Sequence, residues 1–126
     1  MGGFFLRLYS SKVRDLDLVA FVRKKVKTFK WPVSVEEPAD GGIFETSTFD
    51  ATFKRLGRAE FSKLSNKGDF DLLKAVLISW DGIDDEEGKA IPFSVEALKE
   101  FADDSYWVRG VLTAYTKTFE GAREGN

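Results

Sequence analysis

Two segments with alternating apolar and polar positions flank a glycine-containing turn, and this arrangement constrains the fold more than any other feature. The segments cover residues 29–36 and 46–54, and the turn covers residues 37–42. A period of two is typical of half-buried strands, and two such strands joined by a short loop form an antiparallel β-hairpin. The predicted inner face carries Phe29, Trp31, Val33, Val35, Phe49, Ala51 and Phe53.

The first predicted strand contains Pro32. Because proline has no N–H to donate to a neighbouring strand, we expect this strand to lie at the edge of the sheet or to direct Pro32 outward. A hairpin alone is marginally stable in water, so its aromatic face requires helices or further strands to cover it.

After Gly57 the apolar spacing becomes helical. We predict a short helix over residues 58–65 that stops at Asn66-Lys67-Gly68, and a second helix with Asp69 as its N-cap. Gly82 is placed to close the second helix in the left-handed conformation. The apolar face of that helix would consist of Phe70, Leu73, Leu77 and Trp80.

Two further helices complete the pattern. Ser94 offers a side-chain acceptor to the start of the third helix, and the last helix ends near Gly121. The apolar stripe of the last helix comprises Val108, Val111, Leu112, Tyr115 and Phe119.

These elements predict an α+β fold in one domain over residues 1–126. An N-terminal antiparallel β-hairpin or small sheet, residues 28–54, would pack with a C-terminal group of about four helices, residues 57–121. We expect residues 1–12 to be partly disordered. Residues 13–26 fit both helical spacing and strand alternation.

Trp107 lies off the main stripe of the last helix, beside Gly110 and Ala114. These three residues give the helix a second apolar flank. Because a helix that is apolar on two sides commonly packs in an interface, we predict that Trp107, Gly110 and Ala114 contact a partner or a second copy.

The 126 residues include neither histidine nor cysteine. This absence excludes His-dependent nucleophilic catalysis, disulfides and the usual zinc sites. Catalysis by carboxylates, lysine or tyrosine remains open, but the residues indicate no catalytic, cofactor-binding or metal-binding site. No apolar run reaches the roughly 18 residues that span a bilayer, so we expect no membrane association and a cytoplasmic location.

An acidic turn follows Trp80, and it could be interpreted as a divalent-cation loop. Gly88 falls too early for a calcium loop, and no glutamate closes the far end. A solvated turn is the better interpretation. Its acidic side chains are Asp81, Asp84, Asp85, Glu86 and Glu87.

Charge is divided unevenly along the chain. Residues 1–30 carry eight basic and two acidic side chains, and the remainder carries 11 basic and 19 acidic ones. This division fits an anionic partner, self-association of unlike surfaces, or faces that fold against each other. Because the total charge is −2 and alternation directs Phe29 and Trp31 to the buried face, we expect no nucleic-acid binding.

Residues 33–126 resemble a family of bacteriophage tail assembly chaperones. The first matching stretches are Val33-x-Val35-x-x-Pro38-x-Asp40-Gly41-Gly42 and Phe49-x-Ala51-x-Phe53-Lys54-Arg55-Leu56. The most specific stretch runs from Trp80 to Ser94, followed by a final helix with Ala114-Tyr115. Its signature residues, interpreted as structural, are Trp80, Asp81, Gly82, Gly88, Pro92 and Phe93.

The resemblance implies a non-enzymatic role in the cytoplasm of the bacterial host. Such chaperones bind the tape-measure protein, keep its hydrophobic helices soluble and recruit tail-tube protein, and self-association is expected. A frameshifted longer form would diverge within residues 121–126. The alternatives are a head–tail connector or other phage structural component, and a small nucleic-acid-binding protein that uses the basic N-terminus.

Overall fold

The computed structural model describes residues 20–23 and 27–120 and confirms the predicted α+β class. A three-stranded antiparallel sheet has the order β1-β2-β3, and helices cover one of its faces. The predictions for residues 1–12, for most of 13–26 and for 121–126 lie outside the described residues. The elements are β1 Thr28–Ala39, β2 Ile43–Lys54, α1 Arg58–Lys67, α2 Asp69–Val76, β3 Leu77–Asp81, α3 Val95–Phe101 and α4 Ser105–Glu120.

The predicted hairpin is confirmed, and it is longer than the alternation indicated. β1 and β2 each have 12 residues and pair in register from Thr28↔Lys54 to Ala39↔Ile43. The turn therefore shrinks to Asp40, Gly41 and Gly42, and both glycines have a positive φ (89° and 77°), which such a tight loop requires. β1 lies at the edge of the sheet with Pro32 exposed, as predicted.

The predicted second helix is wrong in its C-terminal half. The helix α2 stops at Val76, and Leu77–Asp81 forms β3 against β2. A register shift opposite Thr52 and Phe53 leaves Ile78 outside the pairing, so Leu77 and Trp80 are both buried on the same side. In a regular strand, positions three apart face opposite sides. The register shift thus places two strand residues three positions apart, Leu77 and Trp80, on the same face, which is the spacing expected of a helix.

The starts of the helices are determined by the residues at their N-cap positions. Ser94 is the N-cap of α3, because its Oγ accepts a hydrogen bond of 3.0 Å from the Ala97 amide. Gly68, with φ 132°, separates α1 from α2 and occupies the N-cap position predicted for Asp69. Asp69 is instead the first helical residue, where its carboxylate favours the positive helix start.

The core lies between the helices and the inner face of the hairpin. Trp107 at the start of α4 stacks on Phe49 at 6.0 Å, and Tyr115 near its end meets Phe53 edge-on at 5.1 Å. The helix α4 therefore runs along the hairpin towards its open end. The fully buried side chains include Val33, Phe53, Leu73, Val76, Leu77, Leu98, Val111 and Tyr115.

Candidate functional site

The acidic turn is held by hydrogen bonds between Asp85 and the backbone amides that follow it. Asp85 Oδ1 accepts hydrogen bonds of 2.9 Å from the amides of Glu87 and Lys89, and the Gly88 amide donates to the Asp85 carbonyl at 3.0 Å. The carboxylate thus fixes a loop. Within residues 20–23 and 27–120, no three acidic side chains are grouped so that they could hold a metal ion.

Trp80 is the centre of the stretch that carries the family resemblance. Its indole Nε1 donates a 2.8 Å hydrogen bond to the Ile91 carbonyl, and its ring meets Phe93 edge-on at 4.9 Å. Phe101 lies 5.2 Å from the same ring. Because Trp80 lies on β3, this joint connects the sheet to the start of α3. The stretch therefore does not connect the predicted second and third helices directly, because Trp80 is a strand residue.

The other residues of that stretch have structural positions as well. Asp81 is opposite Asp50 in the sheet, and Lys30 Nζ reaches Asp81 Oδ2 at 3.2 Å, which offsets the repulsion between the two carboxylates. Gly82 has φ 95° and follows β3, so it does not close a helix as predicted, and a Cβ added to it would lie 3.5 Å from Phe49 Cβ. Gly88 has φ 84°. Pro92 is exposed just before the half-buried Phe93.

Trp107, Gly110 and Ala114, predicted to contact a partner, face the chain's own sheet. Trp107 and Ala114 are each 7% exposed. A Cβ on Gly110 would lie 2.6 Å from the Ser34 carbonyl oxygen. The neighbour of Gly110 is therefore β1 of the same chain, and no described contact of these residues is with a partner. Trp107 Nε1 is buried and has no hydrogen-bond partner among the described residues, and nearby aromatic faces compensate a donor only weakly.

Tyr115 fastens the end of α4 to the end of β2. Its hydroxyl donates to the Lys54 carbonyl at 2.9 Å and accepts from the Leu56 amide at 3.2 Å. Burial raises the pKa of Tyr115 above its ordinary value of 10.0, and the Leu56 hydrogen bond and the charge of Arg55 oppose that rise in part. The residue is thus structural.

An open groove of about 590 Å³ runs between α2 and α4, and sequence reasoning did not identify it. We call it the α2–α4 groove. Its apolar floor is formed by Phe70, Leu73, Ala102, Val108 and Leu112. The groove was missed because residues 112, 113 and 116 become neighbours of α2 only after the two helices pack.

Polar and charged side chains surround that floor. Thr116 Oγ1 donates to the Leu112 carbonyl at 2.8 Å, so this hydroxyl is satisfied within the helix. The flanking charges have both signs. The remaining lining residues are Asp69, Ser105, Arg109, Thr113, Lys117 and Glu120. An apolar strip bordered by mixed charge is suited to an amphipathic helix.

A second depression, of about 380 Å³, lies at the open end of the hairpin. We call it the basic groove. Its exposed aromatic rings are Phe119 (53% exposed) and Trp31 (37% exposed), so the prediction that Trp31 is buried is wrong. The side chains that line it are Lys27, Phe29, Lys30, Trp31, Arg55, Tyr115, Thr118 and Phe119.

The far end of the hairpin extends beyond the core. We call residues 36–46 the hairpin arm. All of its side chains except the partly covered Ala39 are exposed. Ile43 and Phe44 are 59% and 63% exposed, which is unusual for large apolar side chains on a strand.

Among the described helices, none has the length and apolar character needed to cross a bilayer. Three exposed surfaces with apolar side chains have been described: the α2–α4 groove, the basic groove and the hairpin arm. Comparisons with protein-family models, with curated proteins and with solved structures each found no match.

Proposed function

We propose that the chain is a non-enzymatic bacteriophage tail assembly chaperone that binds apolar helices of a tape-measure protein in the α2–α4 groove. The open, apolar floor of that groove carries the proposal. The resemblance of residues 33–126 to this family supports it independently. The work would take place in the cytoplasm of the bacterial host, where tail-tube protein would be the second partner.

The dimensions of the groove fit a helical ligand. Its lining runs along α4 from Ser105 to Glu120, which corresponds to about 22 Å at 1.5 Å per residue. A bound helix of about four turns would place side chains at positions i, i+3, i+4 and i+7 over Phe70 and Leu112. The groove is thus long enough to hold about four turns of an apolar helix.

The character of the groove fits a chaperone that releases its client. Phe70 and Leu112 are only partly buried in the free chain, so a client gains contact area without any rearrangement of the core. Mixed charges at the border favour reversible binding, since exposed ion pairs contribute about 1 kcal/mol or less. A client held in this way can later be transferred to the growing tail.

Co-expression with the tape-measure protein of the same gene cluster tests the proposal. We expect the tape-measure protein to be soluble and bound with the wild-type chain. The double substitution Thr113→Glu/Thr116→Glu places two carboxylates over the apolar floor, where burying them is costly. We expect it to return the tape-measure protein to the insoluble fraction.

Ser62→Glu/Ser65→Glu is the matched control. It adds the same charge at the same spacing of three residues on exposed positions of α1, outside the groove. This variant should keep the tape-measure protein soluble. A tape-measure protein that is equally soluble without the chain, or with both variants, would contradict the proposal.

A further inference from the structure

The hairpin arm has an acidic and apolar surface that its own folding does not explain. It carries four acidic side chains and no basic one: Glu36, Glu37, Asp40 and Glu45. Glu37 and Glu45 are directly opposite each other in the hairpin. Like charges in that position destabilise a strand pair, and exposed Ile43 and Phe44 add nothing to the core.

The other end of the same hairpin has the complementary character. Lys27, Lys30 and Arg55 surround the basic groove, and Lys54 and Arg58 lie beside them in sequence. The ion pair of Lys30 with Asp81 is exposed, with both side chains about two-thirds accessible, so it holds Lys30 only weakly. Between the cations lie the exposed rings of Trp31 and Phe119.

One chain cannot bring these two surfaces together. β1 begins at the basic groove with Thr28 and ends at the arm with Ala39. At about 3.3 Å per residue, the 11 steps from Thr28 to Ala39 separate the two ends by roughly 36 Å. An arm can therefore reach only the groove of another molecule.

We propose that the hairpin arm of one copy docks in the basic groove of a second copy, so that the chain associates head to tail. Ile43 and Phe44 would contact Trp31 and Phe119, while the acidic side chains of the arm meet the cations around the groove. Such an interface joins two different surfaces and leaves one of each free at the ends. Repetition therefore gives closed rings or open filaments.

A second copy explains the groove better than a nucleic acid does. Residues 27–120 carry 18 acidic and 12 basic side chains, so a polyanion would meet a net negative molecule. Nucleic-acid binding would also leave the acidic, apolar arm without a role. Docking between copies accounts for both surfaces at once.

Sedimentation velocity of the full chain tests the proposal with two charge-reversed variants. The arm variant is Glu36→Lys/Glu45→Lys, which also gives Glu37 an oppositely charged neighbour across the hairpin. The groove variant is Lys27→Glu/Arg55→Glu. We expect the wild-type sedimentation coefficient to rise with protein concentration and to fall with added salt. Each variant alone should weaken association by about tenfold or more.

Mixing provides the decisive outcome. The arm variant keeps an intact groove and the groove variant keeps an intact arm, so the mixture should give heterodimers that do not grow further. A chain with all four substitutions should remain dissociated, because the net charge of its arm changes from −4 to 0 and that of the three groove cations changes from +3 to −1. Glu86→Lys/Glu87→Lys, with the same charge change in the exposed acidic turn, should associate like the wild type.

Several results would overturn the proposal. A wild-type chain that remains monomeric at about millimolar concentration would do so. So would arm and groove variants that associate as the wild type does. The groove variant can also be titrated with a single-stranded thymidine oligonucleotide. Loss of oligonucleotide binding without loss of self-association would assign the groove to nucleic acid.

Discussion

The two buried tryptophans, Trp80 and Trp107, differ in the hydrogen bonding of the indole Nε1. Trp80 Nε1 is hydrogen-bonded to the Ile91 carbonyl, whereas Trp107 Nε1 is buried and has no partner within residues 20–23 and 27–120. Both rings belong to one aromatic cluster and lie 5.9 Å apart. Their environments are therefore similar enough that substitutions can isolate the value of the hydrogen bond.

We expect Trp80→Phe to lower the free energy of unfolding by about 1–2 kcal/mol more than Trp107→Phe does. The first substitution leaves the Ile91 carbonyl unpaired, and the second removes a donor that has no partner. Urea unfolding of both variants measures the difference. An equal or larger loss of unfolding free energy in Trp107→Phe would contradict the conclusion that only the Trp80 indole makes a stabilising hydrogen bond.

Tyr115 predicts a dependence on alkaline pH. Because its folded pKa lies above the ordinary 10.0, the folded chain keeps a proton that the unfolded chain releases. The stabilisation by Tyr115 is complete below pH 10 and is lost as the pH rises through the folded pKa. Tyr115→Phe should cost about 1–3 kcal/mol at pH 7, because the Leu56 amide and the Lys54 carbonyl lose a partner.

Guanidinium unfolding at pH 8 and pH 10.5 checks both parts of this expectation. The free energy of unfolding should fall between the two pH values more for the wild type than for Tyr115→Phe. An equal fall in the two proteins would mean that other groups govern the alkaline limit.

At the scale of elements, the close approach of α4 to β1 depends on Gly110. In an exposed helix a Gly→Ala substitution stabilises by up to about 1 kcal/mol. Here the new methyl group would meet the Ser34 carbonyl oxygen at 2.6 Å and Val35 Cγ2 at 3.1 Å, so the helix must move. We expect Gly110→Ala to destabilise by about 1–3 kcal/mol.

Thr113→Ala is the control for helix propensity, because residue 113 is exposed on the same helix. It should leave the melting temperature unchanged or raise it, whereas Gly110→Ala should lower it. A Gly110→Ala chain that is as stable as the Thr113→Ala chain would refute the described packing of α4 on β1.

How far the sequence predicts the structure differs between elements. The hairpin was predictable because alternation and turn residues are local, and Ser94 was predictable because capping depends on residues 94–97 alone. β3 was missed because its irregular pairing with β2 gives Leu77 and Trp80 the spacing of a helix. That irregularity is a property of two strands distant in sequence.

The surfaces were less predictable than the elements. Trp107, Gly110 and Ala114 were predicted to contact a partner, but the fold places them against the chain's own sheet. The α2–α4 groove combines residues more than 30 positions apart, such as Phe70 and Leu112. Tertiary packing creates it, so no local pattern could reveal it.

At the scale of the molecule, the two proposals assign different work to different surfaces. The α2–α4 groove would hold a client helix, and the two ends of the hairpin would connect copies. The two groups of residues do not overlap, so each can be altered separately. A chain that binds clients along a row of copies could cover a long tape-measure protein.

The most direct test of the client site is the affinity of the chain for an apolar helical segment of the tape-measure protein, measured by calorimetric titration. We expect Thr113→Glu/Thr116→Glu to raise the Kd by at least about tenfold, because a client that covers Phe70 and Leu112 would have to displace water from two carboxylates. Ser62→Glu/Ser65→Glu should leave the Kd unchanged. Equal affinities for the wild type and both variants would contradict the assignment of the groove.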